Sequence, residues 1–574
     1  MIRAPILHWI RRYDHRYLTD DAIAAVIVTI MLIPQSLAYA MLAGLPPEVG
    51  LYASILPLIA YALFGSSMTL AVGPVAVVSL MTAAAVSQVA APGTPEYLGA
   101  AILLSLLSGV VLIGLGIARA GFLANLLSHP VISGFISASA VLIAISQLKH
   151  ILGVPVSGHD LPAIVLDLWQ HLDQTNGPTV MIGVITIGFL FWVRSGLKSV
   201  LSRLGLTPKL ADIFAKTGPV LAIIVTTGCV AGWQLHEQGV AIVGLIPEGL
   251  PIPHLPPLDF TLARELIPAA ILISIVGFVE SVSVGHTLAA RRRQRIEPNQ
   301  ELIGLGAANL ASGLGGGFPV TGGFSRSVVN FDAGAQTPLA GVFTAVMIAL
   351  TALFLTPLFE YLPRAVLAAT VIVAVLSLVD FKSIQRVWVF SKSDFTAMMA
   401  TIAVVLLVGV EAGILAGIAF SIAFLVAKIA RPHVAIIGNV PGTQHYRNHL
   451  RHTVIQSQSV LAIRFDEMLF FLNSHTLEDA VAELLTETPV LTDLVLQCAA
   501  INEIDASGLE ALESINLRLE SLSIRFHLSE VKGPVMDRLR RAGFEQLLTG
   551  QVFLSHHDAM LTLDPSLAPS NRET

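Results

Sequence analysis

Apolar residues recur in blocks of about twenty from residue 20 to residue 429, separated by short polar stretches. A helix needs about 20 apolar residues to cross the hydrocarbon layer of a bilayer. The pattern predicts spans over residues 20–44, 47–65, 70–90, 98–121, 129–150, 178–195, 217–234, 263–289, 297–313, 324–335, 337–357, 363–380, 392–409 and 411–429. That is fourteen, with twelve as the smaller count, because the third and tenth blocks are broken by Gly, Pro and polar residues. Stretches such as 340–358 and 412–427 hold no charged residue, which excludes a soluble core. Past residue 431 the period changes. Residues 458–466 and 491–499 alternate as strands, 474–487 and 507–520 have helical spacing, and 523–529, 532–542 and 551–563 continue the alternation. Strand and helix in turn predict a small α/β domain with helices packed on one sheet.

The two broken blocks resemble each other. Block three opens Leu70-Ala-Val-Gly73-Pro74-Val75-Ala76, and block ten follows Gly315-Gly-Gly-Phe-Pro319-Val-Thr-Gly322-Gly323. Each joins extended residues to a short helix, and they hold matching ordinals if the body is two repeats of seven. Odd-numbered repeats must have opposite topology, which points two half-helix N-termini at the midplane. Non-helical backbone is tolerated there only inside protein or beside a water-filled cavity.

Charge sharpens this division. The chain is 54% hydrophobic and 13% charged, half the charge density of soluble proteins, with a net charge of −6. Residues 1–431 carry 23 basic and 21 acidic residues; residues 432–574 carry 10 and 18. A near-neutral membrane body thus precedes an acidic tail, excluding a soluble enzyme, a disordered scaffold and a nucleic-acid binder. Arg3, Arg11, Arg12 and Arg16 precede span one; Arg194, Lys198, Arg203, Lys209 and Lys216 follow span six; Arg291, Arg292, Arg293 and Arg295 follow span eight; and Lys382, Arg386 and Lys392 follow span twelve. Loops 151–177 and 235–262, on the other face, hold six acids and no Lys or Arg. The positive-inside bias predicts an even number of spans and cytoplasmic termini. The N-terminal arm does not read as a cleaved signal peptide.

Few residues are candidates for chemistry. Cys229 and Cys498 fall in different parts of the chain, so neither a disulfide framework nor a thiolate zinc site is expected. His556-His557 lacks carboxylates at metal-ligand spacing, and Gly315-Gly316-Gly317 lacks the Gly-Lys-Ser/Thr of a P-loop. No metal, cofactor or enzymatic activity is expected. Ions inside spans are more informative, because a charge at bilayer depth is costly unless it is paired, hydrated or neutralised. Glu280 lies ten or more residues from the nearest loop charge and is a candidate proton carrier, or else a helix-packing glutamate. Arg326 follows the Gly-rich break beside Ser325, so a guanidinium and a helix start together suggest an anion site, unless Arg326 pairs with Glu280. Gln35 and Tyr39, four apart in span one after Pro34, share a helix face and offer an amide and a hydroxyl, or a polar packing stripe.

The segments IPQSLAYAMLAGLPPEVGLYASILPLIAYALFGSS at 33–67, AVGPVAVVSLM at 71–81 and GGFPVTGGFSRSVVNFDAGAQTPLAG at 316–341 resemble the SulP family of anion transporters, the bacterial and plant sulfate permeases related to animal SLC26 proteins. IDASGLEAL at 504–512 resembles the loop-to-helix signature of their cytoplasmic STAS domain. The resemblance implies a polytopic α-helical membrane protein with fourteen spans in two inverted seven-helix repeats, divided into core and gate domains. It gives a cytoplasmic arm (1–19), a transport domain (20–430), a linker (431–440), a STAS domain (441–565) and a tail (566–574). Carried onto this chain, it places the anion among Gln35, Tyr39, Val75, Ala76, Phe324, Ser325 and Arg326. It further implies an elevator-like homodimer in a bacterial inner membrane, with lipid around it and a cytoplasmic partner open for the STAS domain.

Two positions depart from the family pattern. Sodium-coupled bicarbonate members have an aspartate one turn after the span-eight glutamate, where this chain has Val284; this favours a proton as the coupling ion. Some animal members carry an aromatic residue where this chain has Val75, so substrate size stays open. In the tail, Ser507 matches the phosphorylated serine of soluble relatives and is a regulatory candidate, while Asp505 before it suits a helix cap. The expected function is sulfate:proton symport, with C4-dicarboxylate or bicarbonate symport, chloride-linked exchange and an anion channel as alternatives.

Overall fold

The computed structural model describes residues 9–567 except 12, 126–127, 157, 159, 204, 206–217, 251–258 and 488–489. Arg3, Arg12, Lys209, Lys216 and the tail from residue 568 lie outside the described residues. The chain divides into two compact units at Ser421/Ile422.

All fourteen predicted spans have a helical counterpart in the described residues. Spans one to seven are Tyr17–Leu42, Pro47–Tyr52 with Leu56–Phe64, Ala76–Val86, Pro95–Ile117, His129–Ser146 continued by Leu148–Leu152, Gly177–Trp192 and Gly218–Gly232. Spans eight to fourteen are Phe260–Arg291, Pro298–Leu314, Phe324–Asp332, Leu339–Phe354, Arg364–Leu376, Lys392–Leu407 and Val410–Ala430. Spans three and ten are the short ones, of 11 and 9 residues. The strands β1 (Val72–Gly73) and β2 (Thr321–Gly322) precede them and pair antiparallel, Val72 opposite Gly322 and Gly73 opposite Thr321. Pro74 and Pro319 explain the interruptions, since proline biases the residue before it to extended backbone and has no N–H for a helix. The loop helices Leu161–Gln170 and Phe381–Phe390 were not expected from the sequence.

Spans one to four pack chiefly with spans eight to eleven, and spans five to seven chiefly with twelve and thirteen. Span fourteen joins the second group at Gly417, against Val131 and Thr401. These are the core and the gate. Within the core, spans four and nine approach at Gly109 and Gly306, where a Cβ on either would lie 2.9 Å from the other's carbonyl oxygen. Core meets gate where span twelve packs on span one and span five on span three.

The second unit is an α/β domain with a six-stranded sheet in the order β4-β3-β5-β6-β7-β8, formed by Val434–Asn439 (β3), Tyr446–Asn448 (β4), Val460–Phe465 (β5), Asp493–Gln497 (β6), Arg525–Ser529 (β7) and Val552–Phe553 (β8). β5 to β8 are parallel, and β3 runs antiparallel to both its neighbours. The predicted strands and helices from residue 458 onward are present. β3 lies within the expected linker 431–440 and pairs with β5 from Val434 to Ile436, so the sheet begins seven residues ahead of the expected domain start at 441. Its short stretch VAIIGN follows an apolar helix after only Arg431-Pro432-His433, which hid the change of period. One face of the sheet buries Ile463, Phe465, Leu494, Leu496, Phe526 and Leu528 under the helices Ser474–Glu487 and Ala506–Ser521.

Candidate functional site

The β1–β2 pair sets the starts of spans three and ten side by side. A hydroxyl network holds it. Ser327 Oγ accepts from Ala71 N at 3.0 Å and donates to Gly323 O at 2.7 Å. Thr321 Oγ1 donates to Gly277 O at 2.6 Å, and Ser281 Oγ accepts from Gly322 N at 2.8 Å, tying span eight to the break. Asn309 of span nine bonds Val320 at both its backbone N–H and its carbonyl, and Asn330 Nδ2 donates to Thr69 O. None of these side chains was singled out from the sequence. The available signal was weak: small polar residues at isolated points in apolar spans.

Neither short helix has a side-chain cap. Val75 begins span three and Gly323 begins span ten, both in extended backbone. The first N–H groups of a helix have no partner within it, so two sets of donors face the break. Val75 and Ala76 are buried there. Arg326, in the first turn of span ten, is 2% exposed, yet its Nη1 and Nη2 are buried without a hydrogen-bond partner. Its guanidinium lies so close to the break that a Cβ on Gly73 would sit 2.6 Å from Nη1. A Cβ on Gly323 would sit 3.0 Å from Nε and Nη2. Leaving such a group unpaired costs several kcal/mol, roughly 3–5 for a buried charge that has lost its partner. The arrangement therefore suits a ligand that brings acceptors.

Tyr39 is buried opposite, and its hydroxyl, Glu280 and Arg326 lie close enough to act on one another electrostatically. Glu280 and Arg326 nevertheless form no ion pair: among the described residues the guanidinium Nη atoms have no acceptor. Glu280 is half-buried and lines a small apolar cavity with Val77 of span three, Val276 and Val279 of its own span, and Phe135, Thr401 and Ile414 of the gate.

Gln35 and Ser325 line a second cavity of about 300 Å³, with Pro34, Arg194, Lys198, Pro219, Thr370, Val373 and Ser377. Arg194, Pro219 and Ser377 stand at the ends of spans six, seven and twelve on the face where span one begins, so the site opens toward that face. Phe324 is 47% exposed beside Ser325. All seven expected anion-site residues thus belong to spans one, three and ten around one break, with Glu280 behind it. Ser507 is half-exposed in the first turn of Ala506–Ser521, where Asp505 Oδ1 accepts from Gly508 N at 2.8 Å as the cap.

Glu280 and Arg326 are not alone in being deep in the membrane body, because Asp21 and Glu301 are at most 1% exposed. Both are structural. Glu301 accepts from Tyr61 Oη (2.7 Å), Ser66 N and Oγ, and Ser67 N. Asp21 accepts from Gln336 N, Thr337 N and Thr337 Oγ1. Their proximity to span ends disguised their burial in the sequence. Full satisfaction by donors separates them from Arg326.

A model of the "Sulfate permease family" matches residues 18–401, and one of the "STAS domain" matches residues 452–559. The "Probable sulfate transporter 4.2" of Arabidopsis thaliana is 36% identical over 570 residues, covering 97% of this chain and 83% of that protein. The "High affinity sulfate transporter 2" of Stylosanthes hamata is 32% identical, over 98% and 87%. Among solved structures, that of SLC26A9 superposes with a TM-score of 0.87 at 24% identity, covering 98% of this chain and 93% of that one. The transmembrane domain of a cyanobacterial bicarbonate transporter, BicA, gives 0.60 at 22% identity, over 71% and 98%.

Proposed function

This chain belongs to the sulfate permease family, a secondary anion transporter with a STAS domain, and on that premise we propose that it is a sulfate:proton symporter. The buried Nη atoms of Arg326, which have no hydrogen-bond partner among the described residues, carry the proposal. Each helix N-terminus contributes roughly half a positive charge. Two such ends and Arg326 together make about two positive charges, which balance a sulfate dianion without any further cation.

Glu280 supplies the coupling. With its carboxylate ionised, the site has one negative charge too many to hold a dianion in a medium of low dielectric. With the proton bound, anion and site balance, and the core can carry both past the gate. Val284, where a second carboxylate would be needed for sodium, favours the proton. Tyr39 and Gln35 orient the anion, and the cavity beside Gln35 and Ser325 is its exit. The same reading puts the cation-rich face in the cytoplasm of a cell whose inner membrane holds the protein as a homodimer.

The test is uptake of sulfate by proteoliposomes with and without an inward proton gradient. The gradient should drive accumulation in the native protein, and Glu280→Gln should abolish that accumulation while sulfate binding stays within about threefold. Uptake indifferent to the gradient, or unchanged accumulation by the variant, overturns the coupling. Bicarbonate, succinate and chloride as competitors test the choice of anion.

A further inference from the structure

Lys and Arg are rare on the outer half of the membrane body. Of the 23 in residues 1–431, those that fall at the outer ends of spans are Lys149, Arg264 and Arg364. Cations on the translocated face oppose the bias that orients the chain, so their retention asks for a reason. Arg264 is followed by Glu265. The other two are 215 positions apart, and the fold brings them to one place. Leu148–Leu152, which continues span five, packs against the start of span twelve. There His150 lies within electrostatic reach of both Lys149 and Arg364.

Neither cation is neutralised among the described residues. Lys149 Nζ donates to Val156 O at 3.4 Å and Arg364 Nε to Ile242 O at 3.0 Å, both uncharged acceptors. Among the described residues no carboxylate stands within ion-pair distance of either. The backbone holds Arg364 in place, since its N–H donates to Ala241 O and Val243 N donates to Leu362 O. The position also matters: spans five and twelve are gate helices that touch spans three and one of the core, which carry the proposed anion site. The loops around them hold six acids and no Lys or Arg, so a dianion approaching this face meets a repulsive field.

We propose that Lys149, His150 and Arg364 form an anion-capture site on the outer end of the gate, which receives a small oxyanion before the core takes it up. This rests on the transport reading above. Two fixed positive charges, with the histidine ring beside them, offset the acidic loops and raise the oxyanion concentration at the mouth of the path.

The full chain in oriented proteoliposomes tests it, with radiolabelled sulfate added on one face at a time. In the double variant Lys149→Gln/Arg364→Gln, KM for sulfate on the outer face should rise by about three- to tenfold with maximal rate within twofold. KM for sulfate leaving from the inner face should not move. Lys149→Arg/Arg364→Lys, which keeps the charge, should retain the native value. An unchanged outer KM, or an equal rise on both faces, overturns the proposal. A second measurement separates this failure from that of the transport reading: acetylation of Lys149 by an N-hydroxysuccinimide ester, followed by mass spectrometry. Millimolar sulfate should slow it by about threefold or more, as expected for a charge-assisted contact. Protection without uptake would leave the capture site and reject sulfate transport; uptake without protection would do the reverse.

Discussion

At the scale of the residue, the proposed site depends on an arginine whose Nη donors meet no acceptor among the described residues, and on the glycines that make room for it. Gly73 and Gly323 are required by proximity: their missing Cβ atoms leave the guanidinium its place in the break. Gly73→Ala should therefore act on the anion more than on the fold. Sulfate affinity, measured by calorimetry on purified protein, should fall at least tenfold, the loss expected when a charge-assisted contact worth about 1.5–3 kcal/mol is displaced. Arg326→Ala should weaken binding further, while thermal stability holds or rises because a buried unpaired charge is removed. Equal affinity in both variants and the native protein would mean that the arginine is structural. The contrast is with Glu301, an equally buried ion whose four hydrogen bonds are all made by the protein.

At the scale of the element, the two short half-helices are held by other spans and not by their own turns. Span ten has only 9 residues; Asn309 of span nine and Ser281 of span eight bond the backbone just ahead of it, and its own Ser327 accepts from Ala71 ahead of span three. Glu301 plays the corresponding part at the entry to span three, fixing Ser66 and Ser67 ahead of β1. Glu301→Ala leaves four side-chain or backbone donors without an acceptor, each worth about 1–3 kcal/mol when buried. A large fall in the thermal midpoint of the purified protein is expected, with sulfate affinity of the folded fraction little changed. A variant as stable as the native protein would show that the loop needs no anchor. These anchors were hard to read from sequence because a Ser or Asn in a span has the same appearance whether it bonds its own helix or another.

At the scale of the whole molecule, the membrane body and the α/β domain each have a core of their own, and the second can be tested alone. In it, His556 is 1% exposed, with Nδ1 bonded to Ser529 Oγ at 2.8 Å, and burial pushes its pKa down to about 4. Burial likewise lowers the pKa of His527, although its Nε2 contacts Asp493. Both rings fold neutral. A histidine depressed in the folded state contributes its full stability above its unfolded pKa of about 6.5 and loses it as pH falls from there toward 4. A fragment of residues 431–567 should fold cooperatively and unfold progressively more easily from pH 6.5 to 4 in urea titrations. His556→Gln should flatten that acid limb. A limb that begins only below pH 4 would assign it to the carboxylates instead.

The pattern of the chain was sufficient for the number and order of spans, the interruptions at three and ten, the orientation bias and the α/β alternation of the tail. Those are properties of single segments: length against bilayer thickness, proline against helix, period two against period 3.6. It was also sufficient to name Arg326 and Glu280, because an ion in an apolar run is costly wherever it sits. Which ions are paired was beyond it. Asp21 with Thr337, Glu301 with Tyr61, and Lys149 with Arg364 in one cluster are relations between segments hundreds of positions apart. Whether a charge is neutralised depends on its neighbours in space. Only the tertiary structure could decide that Glu280 and Arg326 stand near each other without forming an ion pair, which is the arrangement the proposed symport uses.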